Sequence, residues 1–279
     1  MSVRIDEGKK LVDELRMPEA MRHFEALLTN PEEQAEAHLW LGKLRIASGE
    51  LEDAEAHLNI VLQRSPRNVE ALALKGVIAL RAGNPEEAVR LFGEANRLDA
   101  NLLVVHLNLA ASYRQMNRLP ESLRAAREAV EHYPENAQAR LELARTLWQM
   151  EKKPEALQAA IQTLDIDNAF LPVYVDLADW LIAENQLDAA IVILQQGLAI
   201  LPQNNDLRAQ LSRAYLETGK TQEAITEARL VVSQRGWPED QAHLAACLSA
   251  ASGKQAAAPV RATRQPVSKA KMTQKISSN

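Results

Sequence analysis

The chain has 279 residues, with 32 Lys and Arg against 37 Asp and Glu, a formal net charge of −5, and only 4% aromatic residues. No run of about eighteen apolar residues occurs, which excludes a membrane-spanning helix, and the stretch Met1-Ser2-Val3-Arg4-Ile5-Asp6-Glu7 lacks the apolar core of a secretory signal. The single cysteine, Cys247, can form no internal disulfide; a cytoplasmic setting and a quiet packing role are expected for it.

Compared with itself at a spacing of 34 residues, the sequence aligns almost from end to end without insertion or deletion. Units begin near residues 1, 35, 69, 103, 137, 171 and 205. Each reads as two amphipathic helices and a tight turn, as in Leu39, Leu41 and Ile46, a break at Ser48-Gly49-Glu50, then Ala54, Leu58 and Val61. The eighth place is small throughout: Gly8, Gly42, Gly76, Ala110, Ala144, Ala178, Ser212 and Ala246. So is the place twelve residues further on: Ala20, Ala54, Ala88, Ser122, Ala156, Ala190 and Ala224. Small side chains at fixed phase mark close approaches of helix backbones. Turns recur as Ala82-Gly83-Asn84, Met116-Asn117-Arg118, Glu184-Asn185-Gln186 and Thr218-Gly219-Lys220, where Gly and Asn tolerate the left-handed conformation that stops a helix. Pro66, Pro134 and Pro202, two periods apart, end second helices. After Trp237-Pro238, residues 239–252 predict one helix without a partner, the form in which such arrays cap an apolar end. From Lys254 onward come Lys254, Arg261, Arg264, Lys269, Lys271 and Lys275 and no acidic residue, so residues 1–253 carry 26 basic against 37 acidic side chains, a net of −11. The basic segment 253–279 is rich in Ser, Thr, Gln and Lys and predicts a disordered tail.

This pattern resembles the tetratricopeptide repeat family in unit length, in a large residue three or four before the small one, and in a Pro near the end. The sixth repeat shows it in Tyr174, Leu177, Ala178, Leu181, Ala190, Leu194 and Pro202. Departures are His38 and His106 where Trp or Tyr is usual, Arg45 where Tyr is usual, and the missing Pro at Ala100, Asn168 and Gly236. The resemblance covers roughly residues 1 to 238. It implies an all-α, right-handed superhelical solenoid of antiparallel helix pairs, one continuous array over 1–252 followed by the tail.

Enzymatic chemistry finds no support in the sequence. Its ten Gly are spread among helix contacts and turns rather than gathered in a phosphate loop. The six His read as isolated: His23 and His57 share one repeat place, His38 and His106 another, and His132 and His243 stand alone. A metal site would need ligands beyond these. Glu32-Glu33 and Glu86-Glu87 stand at helix starts, where negative charge favours the helix dipole. A non-enzymatic protein with no cofactor and no metal is expected. Nucleic-acid binding is opposed by the −11 of residues 1–253, and the basic segment lacks aromatic stacking platforms.

In the family resembled, first helices line a concave groove through their second, fifth, sixth, ninth, twelfth and thirteenth places. On that reading the ninth place brings Lys9, Lys43, Arg145 and Arg213, with Val77, Ala111 and Asp179 between, and the twelfth adds Arg114 and Trp148. Leu39 comes from the fifth place and Trp40 and Asn108 from the sixth, with Ile46, Leu107, Leu141, Val175, Ile182 and Leu216 supplying apolar surface or packing on the next repeat. Acidic residues at the second place, Glu36, Glu70, Asp206 and Asp240, dilute the cations. Such a face suits a protein or peptide partner with acidic groups and apolar anchors. No three consecutive repeats supply the Lys, Asn and Arg set with which co-chaperones of this family hold a chaperone carboxylate tail. Nor is there the asparagine ladder of its glycosyltransferases, since the sixth place reads Asp6, Trp40, Leu74, Asn108, Glu142, Asp176 and Gln210. The function expected is a protein-interaction scaffold or adaptor; the alternative is a regulatory or assembly subunit of an enzyme encoded elsewhere, a nucleic-acid-binding module acting through the basic segment is less expected, and an exposed array end would also permit self-association.

Overall fold

A computed structural model describes residues 3–253, and the basic segment from Lys254 lies outside them. Fifteen α-helices follow one another, with no strand among the described residues. They are α1 (Val3–Asp13), α2 (Met17–Leu27), α3 (Gln34–Ser48), α4 (Leu51–Arg64), α5 (Val69–Arg81), α6 (Pro85–Leu98), α7 (Leu103–Gln115), α8 (Leu119–His132), α9 (Ala137–Gln149), α10 (Lys153–Ile166), α11 (Leu171–Ala183), α12 (Leu187–Ile200), α13 (Asn205–Glu217), α14 (Thr221–Gln234) and α15 (Pro238–Ala251). Seven pairs and one last helix thus realise the all-α solenoid class expected from the period. The contacts divide at Val173–Tyr174 into two compact bodies.

The turn inside each pair is one motif repeated. Leu15, Gly49, Gly83, Asn117, Glu151, Asn185 and Gly219, each 34 residues from the last, all have positive φ, between 56° and 84°. In each case the next amide reaches back five residues, as in Glu50 N–H to the Arg45 carbonyl (2.9 Å), Asn84 to Ala79 (2.9 Å) and Lys220 to Tyr215 (2.8 Å). That bond satisfies a carbonyl the helix end would otherwise leave open. Leu15 and Glu151 adopt it without glycine or asparagine, against the local preference of their side chains.

Joints between pairs alternate, which the two-period spacing of the prolines foreshadows. After α4, α8 and α12 the chain runs Ser65-Pro66-Arg67-Asn68, Tyr133-Pro134-Glu135-Asn136 and Leu201-Pro202-Gln203-Asn204. The proline ends one helix, and the asparagine Oδ1 accepts the N–H of Ala71, Ala139 or Leu207 at 2.9 Å to cap the next. After α6 and α10 an aspartate turn stands in place of the proline joint: Asp99 accepts from Asn101 N–H and Asp167 from Ala169 N–H, both at 2.9 Å, ahead of the next helix.

Within each of the first three pairs the small eighth place meets the residue sixteen further on. A Cβ built on Gly8 would stand 2.5 Å from the Phe24 ring, one on Gly42 2.9 Å from Leu58, and one on Gly76 2.6 Å from Phe92. The first body buries its core in successive layers, one around Phe24 and Leu41, one around Leu58 and Ile78, one around Phe92 and Leu109. In the second body α15 packs on α13 and α14 and closes a layer of Ala224, Ile225, Ala228 and Cys247.

Candidate partner-binding face

Within the first body first helices of neighbouring pairs lie side by side, α3 on α5, α5 on α7 and α7 on α9, so side chains near their middles share one surface. In the first body this gathers Lys9, Trp40 and Lys43. Lys9 Nζ lies 2.8 Å from Glu36 and 3.6 Å from Asp6, and Lys43 Nζ lies 2.6 Å from Glu70. The hydrogen bond with Glu36 holds the Lys9 ammonium above its ordinary pKa. Trp40 stacks on Phe24 with ring planes 3° apart and centroids 5.6 Å apart. Over the Trp40 ring stand Lys43 Nζ at 3.9 Å and Lys9 Nζ at 5.9 Å. The indole is therefore fixed by the core behind it and holds two ammonium groups at the surface.

A second gathering lies on α7 and α9. Buried Glu142 receives Arg114 Nη2 at 3.2 Å and Arg145 Nη1 at 2.6 Å. Asn108 donates its amide to the Val104 carbonyl at 2.7 Å, within its own helix. Lys153 stands 5.6 Å over the Trp148 ring. Leu39 is buried in one cluster with Ile46, Ala54 and Leu58 of its own repeat and Ala71 and Ile78 of the next, so it serves the core rather than the surface. In the second body Asp179 accepts from Gln210 at 3.1 Å, and Arg213 is exposed, its charge felt at Asp240 and His243.

The second-place acids, which sequence reading takes only as a dilution of the cations, are their partners. Lys9 with Glu36 and Lys43 with Glu70 are each 27 residues apart, from the ninth place of one unit to the second of the next. Glu142 and Phe24 were missed as supporting residues. The signal for Glu142 was an acid between two arginines on adjoining first helices, and it is visible only once the pairs are laid side by side.

The histidines are not isolated, which corrects the sequence reading. Antiparallel packing within a repeat brings the fourth place of the first helix against the second helix. His38 Nδ1 lies 2.8 Å from His57 Nδ1, and the His106 and His132 rings stack at 5.5 Å. In the second body His243 Nε2 lies 2.9 Å from Ser212 Oγ and 3.6 Å from Cys247 Sγ. Ser212 gives its proton to the Ala224 carbonyl at 2.7 Å, so the imidazole is the donor to it. Burial lowers the pKa of His38, His57 and His243 and raises that of Cys247. Among the described residues no group of three or more His, Cys, Asp or Glu is arranged to hold a metal, and no helix is long and apolar enough to cross a membrane.

Antiparallel helix pairs in 34-residue register, presenting fixed aromatic and charged side chains along their first helices, define a helical-repeat protein of the α-solenoid class. Tetratricopeptide repeat profiles match residues 5–66, 41–101, 107–169 and 181–247. The chain belongs to the tetratricopeptide repeat family. Its fold is similar to that of a tetratricopeptide repeat protein from Parabacteroides merdae, with TM-score 0.67 at 14% identity over 88% of this chain and 97% of that one. It is also similar to Pseudomonas aeruginosa PilF, with TM-score 0.62 at 20% identity over 77% and 98%. A chain of the Cut9–Hcn1 hetero-tetramer of the APC/C matches with TM-score 0.65 at 15% identity, over 81% of this chain but 45% of that one, so this chain spans less than half of that relative. At these identities the likeness is one of fold. A search of curated protein sequences gave no match.

Proposed function

We propose that the protein is a non-catalytic scaffold or adaptor that binds a partner protein or peptide on the first-helix face of its first body. The observation that supports this reading is the Lys9–Trp40–Lys43 cluster. Its ammonium groups are held in place by the indole, while their counterions Glu36 and Glu70 are 40% and 53% exposed. An acidic side chain on a partner replaces an exposed carboxylate rather than desolvating a bare cation, and exposed ion pairs of this kind are worth only about 0–1 kcal/mol. The exchange is therefore cheap, and the apolar edge of Trp40 supplies an anchor beside it.

The test is a native-extract pull-down comparing the parent chain with Lys9→Glu/Lys43→Glu, with circular dichroism to confirm that the helices persist. One partner retained by the parent and lost by the folded variant supports the reading. Identical partners on both remove this face from consideration.

A further inference from the structure

Away from the first-helix face, α6, α7 and α8 line an open-sided cavity of about 310 Å³. Gly93 and Asn96 of α6 form one wall, Leu109 and Tyr113 of α7 the floor, and Arg124 and Glu128 of α8 the other wall. Gly93 stands inside α6, yet a Cβ there would meet no atom within 4 Å. Neither close packing nor a left-handed backbone accounts for it, although glycine weakens a helix interior relative to alanine. The same place in the other repeats holds Glu25, Asn59, Arg127, Ile161, Gln195 and Arg229, all exposed, so only here is the side chain missing beside the cavity.

Its polar groups are incomplete in a matching way. Asn96 Oδ1 is buried with no hydrogen-bond partner, an acceptor in want of a donor. Arg124 and Glu128 stand one helical turn apart without closing an ion pair. No carboxylate lies within 4 Å of Arg124 among the described residues, while Glu128 has a contact at 3.5 Å with His106 Nδ1. Glu121 also lines the cavity; it is held by Arg118 at 2.7 Å and feels the charge of Arg124. Arg124 offers a place for an anionic group of a ligand and Glu128 a place for a cationic one. A ligand carrying both charges satisfies the two together, and the cavity is at the small end of the roughly 300–1,000 Å³ typical of ligand sites.

We propose that this cavity binds a free α-amino acid, with its carboxylate on Arg124, its ammonium between Glu128 and Asn96 Oδ1, and its side chain on Leu109 and the Tyr113 ring. The site shares no residue with the partner-binding face, so the two readings stand or fall separately.

Calorimetric titration of the full chain with each of the twenty L-amino acids tests it, with propionate and ethylamine as probes that carry one charge each. The expected result is saturable binding of at least one amino acid, and binding about tenfold or more weaker for either single-charge probe. Gly93→Leu fills the cavity and abolishes binding, while its melting temperature stays at or above that of the parent because leucine favours the helix. Arg124→Gln and Glu128→Gln, both at the surface, each weaken binding by about tenfold. No saturable binding by any amino acid overturns the proposal, and so does binding that survives Gly93→Leu. If Gly93→Leu does not fold, unchanged affinity in Arg124→Gln overturns it instead.

Discussion

The third and fourth repeats solve one packing problem differently, the third with one very small and one large residue and the fourth with two small ones. In the third, Gly76 lets the backbone of α5 lie directly on the Phe92 ring. In the fourth, the equivalent places hold Ala110 and Ala126, both fully buried. The first repeat, with Gly8 under Phe24, follows the third, and the fifth, with Ala144 and Ala160, follows the fourth. A glycine at the first place goes with a large partner, Phe24, Leu58 or Phe92, whereas Ala110 and Ala144 go with alanine and Ala178 with Leu194, so each pair is packed in its own way and a large partner under glycine leaves no room for a Cβ.

The largest expected effect comes from emptying the large member. Phe92→Ala should lose about 3–5 kcal/mol, whereas Ala126→Gly in the fourth repeat should lose only about 1 kcal/mol. Urea unfolding, with hydrogen exchange to localise the loss, separates the two; equal losses would mean that the pairing of volumes is not what holds these repeats. Next comes Gly76→Ala, whose new methyl would sit within 3 Å of three ring atoms of Phe92. It should cost about 1–3 kcal/mol. Added to Phe92→Ala, the same substitution should instead recover stability, since the double variant reproduces the alanine pair of the fourth repeat. A double-mutant cycle showing simple additivity would break the comparison.

Turns sharpen the contrast at smaller scale. Leu15 and Glu151 hold the left-handed conformation that Gly49 and Gly83 hold without strain. Leu15 is 79% exposed, so Leu15→Gly sacrifices no packing and should gain about 1 kcal/mol, while Gly83→Ala should lose a similar amount. Thermal melts of the two single variants should shift in opposite directions.

The smallest effect concerns pH and sets the second repeat against the others. His38 and His57 both have pKa values below the ordinary 6.5, chiefly through burial, with the neighbouring imidazole also acting on His38. Their contribution to stability is full above the ordinary value and is lost as pH falls through the depressed one, because the unfolded chain then binds protons that the folded pair resists. The protection of α3 and α4 amides, expressed relative to the intrinsic exchange rate at each pH, should therefore be lower near pH 5.5 than near pH 7.5, about a unit either side of the unperturbed histidine. The variant His38→Gln/His57→Gln should flatten that dependence. An unchanged slope would take the pair out of the account.

Much of the fold was legible because it is local and repeated. Gly49, Gly83, Asn117, Asn185 and Gly219 announce their turns, and Pro66, Pro134 and Pro202 announce their joints. Leu15 and Glu151 could not be read, since nothing in either side chain favours a positive φ; the flanking helices impose it. Of the candidate face, Lys9, Trp40 and Lys43 were legible through their phase in the repeat. Their neutralisation by Glu36 and Glu70 was not, nor was the burial of Leu39 in the core.

The sequence by itself determined the period, the helix count, the small places and the stops, because each depends on residues close along the chain. Only the tertiary structure decided which side chains meet across helices: Gly76 with Phe92, His38 with His57, Lys43 with Glu70 over Trp40. Those meetings depend on how one helix is set against the next. That setting is fixed by the summed packing of both surfaces, which no single segment encodes.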